Sequence, residues 1–548
     1  MIGVLPKIPT AWRVGSGLRL SVTPRVAAVG VIFAFAVFNL VYLLVDCPLG
    51  LAPDEAHYWD WSRRPLQLSY YSKGPLVAWL IRGSCEVFGN TMPAIRLPAV
   101  IANVLLLLAL YRLTALTFRR EWLAFAAVVL AVSLPAIAAP AVVMTIDGPY
   151  LACWAWACVF ALKATHGGSR WCWLMAGAVA AVGLLAKYTM LLFPLGVGFY
   201  LLTDSVRRIE LKSSGFWLMV AVAGLGGLPL LIWNMTHEWI GFRHVLALAG
   251  GDESTPSIEI DAVPHFLTGQ FGLLIGYWFI TWICAAVAMR PRQGQDSRIT
   301  FLWWLSVPVW AVFAIIAAKS KGQPNWPAPA YVTGFILAVG WLALQLDSPV
   351  KWYRRMVLGF LIAFVGLGSF ASLVTRYPGL VRPTIAKVVD PPSKTNPTPV
   401  RKLDPTSRLT GWDQLAREVD HIRAQVRAEE NREPVLAGMV WTMPGELAFY
   451  CENHPEVFTF GLALADRHSQ YDLWRPNPIS DAQEFRGRTF VYVGDEIPDL
   501  KQWFDRAELP VEVTASDGNI PVAHWKVWVL RGFRGVPADL KRRRAAGY

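Results

Sequence analysis

The run Val26-Ala27-Ala28-Val29-Gly30-Val31-Ile32-Phe33-Ala34-Phe35-Ala36-Val37-Phe38-Asn39-Leu40-Val41-Tyr42-Leu43-Leu44-Val45 contains no charged side chain. A helix needs about 20 such residues to cross a hydrocarbon core of about 30 Å, so the run is of spanning length. No clear small-residue cleavage site follows it, and a membrane helix is expected rather than a cleaved signal. Further apolar runs lie near 93–111, 122–140, 148–164, 171–186, 190–203, 215–233, 270–289, 300–318, 327–346 and 356–375. Together they give about eleven candidate transmembrane helices, the two beside Lys187 being short enough to fuse into one hairpin. Composition agrees. With 548 residues and 54% apolar side chains, the chain carries more hydrophobic surface than one soluble core can bury. Its 26 Trp suit the headgroup boundary, where an indole edge stays wet while the ring leaves water.

A formal charge of +12 raises the question of nucleic acid. The basic residues, however, sit in short clusters between apolar runs, as the positive-inside rule requires, and no nucleic-acid partner is expected. If Lys7, Arg13, Arg19 and Arg25 are cytoplasmic, the basic loops Arg112–Arg120, Lys163–Arg170, Arg207–Lys212, Arg290–Arg298 and Lys351–Arg355 fall on that same side. The opposite loops, 47–92, 141–147, 187–189, 234–269 and 319–326, hold the unusual acidic, histidine and proline-rich sequences. An inner-membrane, multi-pass protein with its chemistry facing the periplasm is the expected arrangement. The seven cysteines show no CxxC pair. Cys47 and Cys85 would share the oxidising side, so a disulfide between them stays open.

The organisation expected is a cytoplasmic N-terminus (1–25), a transmembrane domain (26–375), a linker (376–405) marked by Pro391, Pro392, Pro397, Pro399 and Pro405, and a small soluble α/β domain (406–548) on the outer side. Within the last, Pro434–Met439 and Thr489–Val493 read as short buried strands and Trp412–Glu430 as a charged amphipathic helix.

Four outward segments combine residue types that chemistry needs. Pro53-Asp54-Glu55-Ala56-His57-Tyr58 places two adjacent carboxylates at a membrane surface, either as helix-start acids or as a reactive pair. Ser69-Tyr70-Tyr71-Ser72-Lys73-Gly74-Pro75 precedes an amphipathic stretch, near 75–88, that reads as an interfacial helix. Lys73 could hold a lipid phosphate as a compact point charge or simply snorkel. Met144-Thr145-Ile146-Asp147-Gly148-Pro149 sets an acid at the mouth of two spans, as a helix cap or a site. Lys319-Ser320-Lys321-Gly322-Gln323-Pro324-Asn325-Trp326-Pro327 breaks the positive-inside bias, as does Lys187; a bound phosphate would explain outward lysines, and so would a solvated Pro-rich turn. His57, His237, His244 and His265 all fall outside the cytoplasm, but their spacing is too loose for a ligand set. No cofactor is expected to be required, with a divalent cation left open.

As a set, these segments resemble the bacterial polyprenyl-phosphate-dependent glycosyltransferases related to protein O-mannosyltransferases and to the aminoarabinose transferase of lipid A, including the RgtA/B/C/D-like branch. The resemblance covers roughly residues 25 to 375. It implies a C-type glycosyltransferase fold, a sugar donor on undecaprenyl or another polyprenyl phosphate, inversion at the anomeric carbon, and a lipid, glycan or protein acceptor, all at the bacterial inner membrane among its lipids. By position Asp54 matches the catalytic acid and Glu55 a residue orienting acceptor or base. Lys73 matches the carrier-phosphate ligand and Asp147 a second acid that binds substrate. Tyr71, Asn325 and Trp326 belong to the same motifs. Lipid A transferases carry arginine where this chain has His57, and Lys321 or Lys187 could substitute. The run Arg467-His468-Ser469-Gln470-Tyr471-Asp472-Leu473-Trp474 is similar to a family segment expected to close over the cavity, which brings in Tyr471 and Asp472. The acids at 54 and 147 and the ammonium at 73 are therefore expected to converge on one pocket. A lipid or glycan transporter without transferase activity is the rival, and it would concentrate its charges at the membrane midplane.

Overall fold

The computed structural model describes residues 22–248, 262–319, 322–464, 466–498 and 500–537. The chain is a bundle of apolar helices capped by a small mixed sheet. Helix α1 (Pro24–Val45) starts on the Thr23 hydroxyl, which accepts from the Val26 N–H, and Pro24 needs no backbone donor there. After α2 (Pro53–Arg63) and α3 (Leu76–Phe88), the 27-residue α4 (Met92–Phe118) runs beside α1 and beside helices Glu121–Val132 and Asp147–Thr165. Among the described residues six helices are long and apolar enough to cross a membrane, or seven if the pair Val263–Leu273 and Tyr277–Ala288, bent by 104°, counts as one span. Against the eleven runs of the sequence, Glu121–Val132, Arg170–Ala186 and Tyr188–Thr203 are apolar but shorter. Many of the apolar side chains on α1 and on helix Lys351–Arg376 are exposed, as a lipid-facing surface requires.

The C-terminal module is α/β. Helix Trp412–Glu430 buries Trp412, Leu415, Ala416, Val419, Ile422 and Val426, a single stripe at helical spacing. The sheet has the order β2-β1-β3-β6-β4, with β5 also paired to β6. Strand β1 (Val435–Gly438) is parallel to β2 (Val457–Thr459) and β3 (Phe490–Val493). Strand β6 (Ile520–Phe533) runs antiparallel to β3, to β4 (Phe504–Ala507) and to β5 (Val511–Asp517). Both strands read from sequence are present, and they are buried throughout because helices cover the parallel half of the sheet.

The module is not a loose appendage. Residues of α2 and α3 share one hydrophobic core with helix Trp412–Glu430 and with β1, β3 and β6. At Gly445, on helix Met443–Tyr450, an added Cβ would lie 2.6 Å from the Ala56 carbonyl carbon, so only glycine lets this helix touch α2. In the residues read as a linker, Arg382 ties helix Arg382–Val388 to Asp404 (2.6 Å) and to Asp517 of β5 (2.7 Å). All seven cysteines, Cys47 and Cys85 included, are free thiols.

Candidate active site

The first helix after α1 is polar by composition yet buried from Glu55 to Ser62, because the bundle lies on one side of it and the C-terminal module on the other. Its two adjacent acids face different surroundings. Glu55 is fully buried and accepts four hydrogen bonds: Arg96 Nε at 3.0 Å, Arg96 Nη2 at 2.8 Å, and the backbone N–H groups of Ala52 (2.8 Å) and Met144 (2.6 Å). Arg96 is equally buried and also donates to the carbonyls of Leu49 (3.1 Å) and Gly50 (2.6 Å). This knot pins three segments together: the start of α2, the start of α4, and the loop leading to Asp147. Both charges are satisfied within the protein, so Glu55 has no free acceptor directed at a substrate.

Asp54, one residue earlier, is exposed on α2 and lines the cleft between α2 and the module, so a substrate can reach it. Burial raises its carboxyl above the ordinary value, while Lys73 and Arg467 pull it back and Asp147 pushes it up again. The hydroxyl of Tyr58 lies 3.5 Å from its Oδ1.

Lys73 is placed by a close approach. A Cβ on Gly74 would collide with the Leu185 carbonyl, and this contact brings the Tyr70–Pro75 turn against the end of helix Arg170–Ala186, beside Lys187. Burial pushes the Lys73 ammonium down to about 8, Lys187 adds repulsion, and Asp54 and Asp147 oppose both. Lys187 Nζ is 2.8 Å from Asp147 Oδ1, and Asn325 Nδ2 donates to Asp147 Oδ2 at 2.7 Å. Asp54, Lys73, Asp147, Lys187 and Asn325 thus meet at one place, although up to 271 positions separate them in the chain. Asp147 and Asn325 also rim a cavity of about 350 Å³ whose remaining wall, Asn103 and Tyr331 apart, is apolar, with Leu106, Leu110, Trp278 and Phe335 among its residues.

The other residues singled out from sequence are placed as follows. The ring of His57 packs against Trp61 (4.8 Å), Tyr471 (4.9 Å) and Trp441 (5.3 Å). Burial, helped by the charge of Arg467, holds it well below its ordinary value, so it is neutral and no substitute for an arginine. Tyr71 is buried, lies against His244 (4.7 Å) and His468 (5.9 Å), and donates its backbone N–H to Gln470 Oε1 at 2.8 Å. Asp472 accepts from the Ser469 N–H (2.7 Å) and hydroxyl (2.9 Å), a local cap, and burial raises it to about 6. Tyr471 is buried with its ring 5.3 Å from that of Trp474, while Trp326 packs on the core of the bundle. Lys321 lies outside the described residues. No group of three or more His, Cys, Asp or Glu among the described residues is arranged to hold a metal.

Two groups escaped the reading of the sequence. Arg96 sits inside an apolar run, and an intramembrane arginine was itself the signal to look for a buried partner. Arg467 lies 4.0 Å over the Trp441 ring and acts electrostatically on Asp54, His57 and Lys73 at once. Only its place in the Arg467–Trp474 run pointed that way.

The chain is similar to known proteins both in sequence and in fold. Residues 72–233 match the profile of the dolichyl-phosphate-mannose-protein mannosyltransferase family. The lipid A galacturonosyltransferase RgtD of Rhizobium johnstonii is 31% identical over 351 residues, 64% of this chain and 71% of that one. An undecaprenyl phosphate-alpha-4-amino-4-deoxy-L-arabinose arabinosyl transferase of Proteus mirabilis is 25% identical over 381 residues, 64% of this chain and 66% of the relative. In fold, the chain is similar to ArnT from Cupriavidus metallidurans, solved with undecaprenyl phosphate: TM-score 0.58, 15% identity, covering 91% of this chain and 97% of that one.

Proposed function

Because this chain belongs to the polyprenyl-phosphate-dependent glycosyltransferases of the protein O-mannosyltransferase and lipid A aminoarabinose transferase superfamily, we propose that it moves a sugar from a polyprenyl-phosphate carrier to a hydroxyl of a glycolipid acceptor, with inversion, on the periplasmic side of the inner membrane. One observation carries the reading: Asp147, held by Lys187 and Asn325 at the mouth of a largely apolar cavity, lies within electrostatic reach of an accessible carboxylate, Asp54, and of an ammonium, Lys73, that has no ion-pair partner among the described residues.

The chemistry follows from charge. As the acceptor oxygen forms its bond to the anomeric carbon, its proton goes to Asp54, whose raised affinity for protons makes it the stronger base. The bond from the anomeric carbon to the phosphate oxygen breaks with its electron pair, and negative charge grows on the phosphate. Lys73, which burial leaves short of counter-charge, stabilises that growth more in the transition state than in the ground state. Asp147, clamped by Lys187 and Asn325, orients the donor at the cavity mouth, and Arg467 adds positive potential from the module side. Glu55 acts through the fold, holding the backbone on which Asp54 rides. The apolar cavity behind Asp147 suits the isoprenoid chain of the carrier. Transfer by Asp54→Asn from a polyprenyl-phosphate donor, at matched expression, tests the assignment: transfer at the unmodified rate would remove the base.

A further inference from the structure

Helix Met443–Tyr450 of the module carries an acid that the proposed chemistry does not use. Glu446 is fully buried, and neither of its carboxyl oxygens has a hydrogen-bond partner among the described residues. Gly445, beside it, is where this helix touches α2. Trp441, Thr442 and Met443, at the start of the helix, line the same cleft as Asp54, and Arg467 lies over the Trp441 ring. The seat of this helix on α2 therefore sets what the module presents to Asp54.

The surroundings offer nothing that would hold Glu446 as a carboxylate. Arg96 is the cation that acts on it, but the N–H groups of that guanidinium are all engaged: Nε and Nη2 with Glu55, Nη2 also with the Gly50 carbonyl, and Nη1 with the Leu49 carbonyl (3.1 Å) and Cys47 Sγ (3.3 Å). Glu55, the other charge that acts on it, has the same sign as an ionised Glu446. Tyr450, one turn on, accepts from the Leu51 N–H at 2.7 Å and points its hydroxyl at Met92 Sδ (3.9 Å). Elsewhere on α2, Asp54 and Tyr58 face each other, His57 is neutral, and Asp60 is paired with Arg63. Strands β1 and β2, which pack on the same helix, contain no ionisable side chain. Helix Trp412–Glu430 contributes Leu415, Ala416 and Val419 to one core with Leu447 and Ala448, while its Asp420 and Arg423 pair with each other and reach the backbone of Glu452, past the far end. An unpartnered carboxyl is far cheaper to bury neutral than ionised. Burial, with Glu55 adding to it and Arg96 opposing, holds this one well above the ordinary carboxylate range.

We propose that Glu446 is a positioning residue that works as a neutral acid: with its proton it lets helix Met443–Tyr450 lie on α2, and on losing that proton it drives the helix off Glu55 and loosens the module around Asp54. The O–H bond breaks as the interface opens, the proton passes to water, and the carboxylate left behind is hydrated. Once open, the group returns to its ordinary value of 4.5, so the open form binds fewer protons than the seated form between that value and the raised one. Docking is therefore strongest below about 4.5 and weakens as pH rises. The consequence for catalysis rests on the transferase reading; the docking does not.

Hydrogen exchange of the full-length chain in nanodiscs, read by mass spectrometry between about pH 5.5 and about pH 8, tests this without substrate. Protection of helix Met443–Tyr450 and of α2, corrected for intrinsic exchange, should fall by up to about tenfold per pH unit in the unmodified protein. Glu446→Gln, a neutral isostere, should flatten that slope and be about tenfold or more better protected at the alkaline end. Glu446→Met, neutral and of similar length, should do the same. A slope that survives in both variants, protection below that of the unmodified protein in both, or failure of both to fold would overturn the proposal. Asp54 also carries a raised carboxyl, so the slope must persist in Asp54→Asn; its loss there would assign the proton to Asp54 instead. In transfer assays Glu446→Gln should keep more of its rate at the alkaline end than the unmodified protein does, and identical rate profiles would strike the positioning role. Exchange does not depend on turnover, so the slope can stand where Asp54→Asn leaves transfer intact and fail where it abolishes transfer.

Discussion

Two neighbouring carboxylates of α2 show how differently one protein can use the same functional group. Glu55 is buried against Arg96 with every contact satisfied, whereas Asp54 faces a cleft with cations near it and none bonded to it. A buried pair of that kind is matched, hydrogen-bonded and inert, and its value lies in fixing backbone. An unmatched charge beside a cavity stores unfavourable electrostatics that a substrate can relieve. On the proposed reading, fold and chemistry are divided between adjacent positions.

Mutations should separate the two regions, beginning with the largest effect. Asp54→Asn should lower kcat for transfer by about 10²- to 10⁴-fold while the thermal unfolding midpoint stays that of the unmodified protein; a matching loss of stability would make Asp54 another structural acid. Glu55→Ala, or Arg96→Ala, strands one buried charge and should cost about 3–5 kcal/mol, read as loss of folded protein on extraction into detergent. Glu55→Ala protein that unfolds normally but cannot transfer would move Glu55 into the chemistry instead.

Smaller effects concern Lys73. Burial pushes its ammonium down to about 8, and an anion favours the charged form, so donor binding should be full below that pH and weaken by about tenfold per unit above it. Lys73→Arg should flatten that profile. Between about 8 and the ordinary 10.5 the folded chain binds fewer protons at this position than the unfolded one, so the empty protein gains stability as pH rises through that window. It follows that Lys73→Met should raise stability at neutral pH by a gain on the order of 1 kcal/mol, while donor binding is lost. A destabilised Lys73→Met variant would place Lys73 with Arg96 among the groups that hold the fold.

Much of the architecture was legible because its signals are local. The uncharged run of α1, the stripe of helix Trp412–Glu430 and the short buried strands β1 and β3 each show within about twenty residues the spacing that burial demands. Helix α2 was harder to read. Its residues are polar, and its burial from Glu55 to Ser62 comes from elements nearly 400 positions away, so no periodicity marks it. The candidate residues Asp54, Lys73, Asp147, Lys187 and Asn325 were nameable by type, side of the membrane and family resemblance, while Arg96 and Arg467 were not assigned partners.

By itself, then, the sequence determined which segments must leave water and which residue types are available in the loops between them, since hydrophobic spacing is a property of a short stretch of chain. Which acid is neutralised and which is left unmatched was decided only by the tertiary structure. Coulomb energy and desolvation depend on distance through space, and positions 55 and 96 or 147 and 325 become neighbours only when the helices pack.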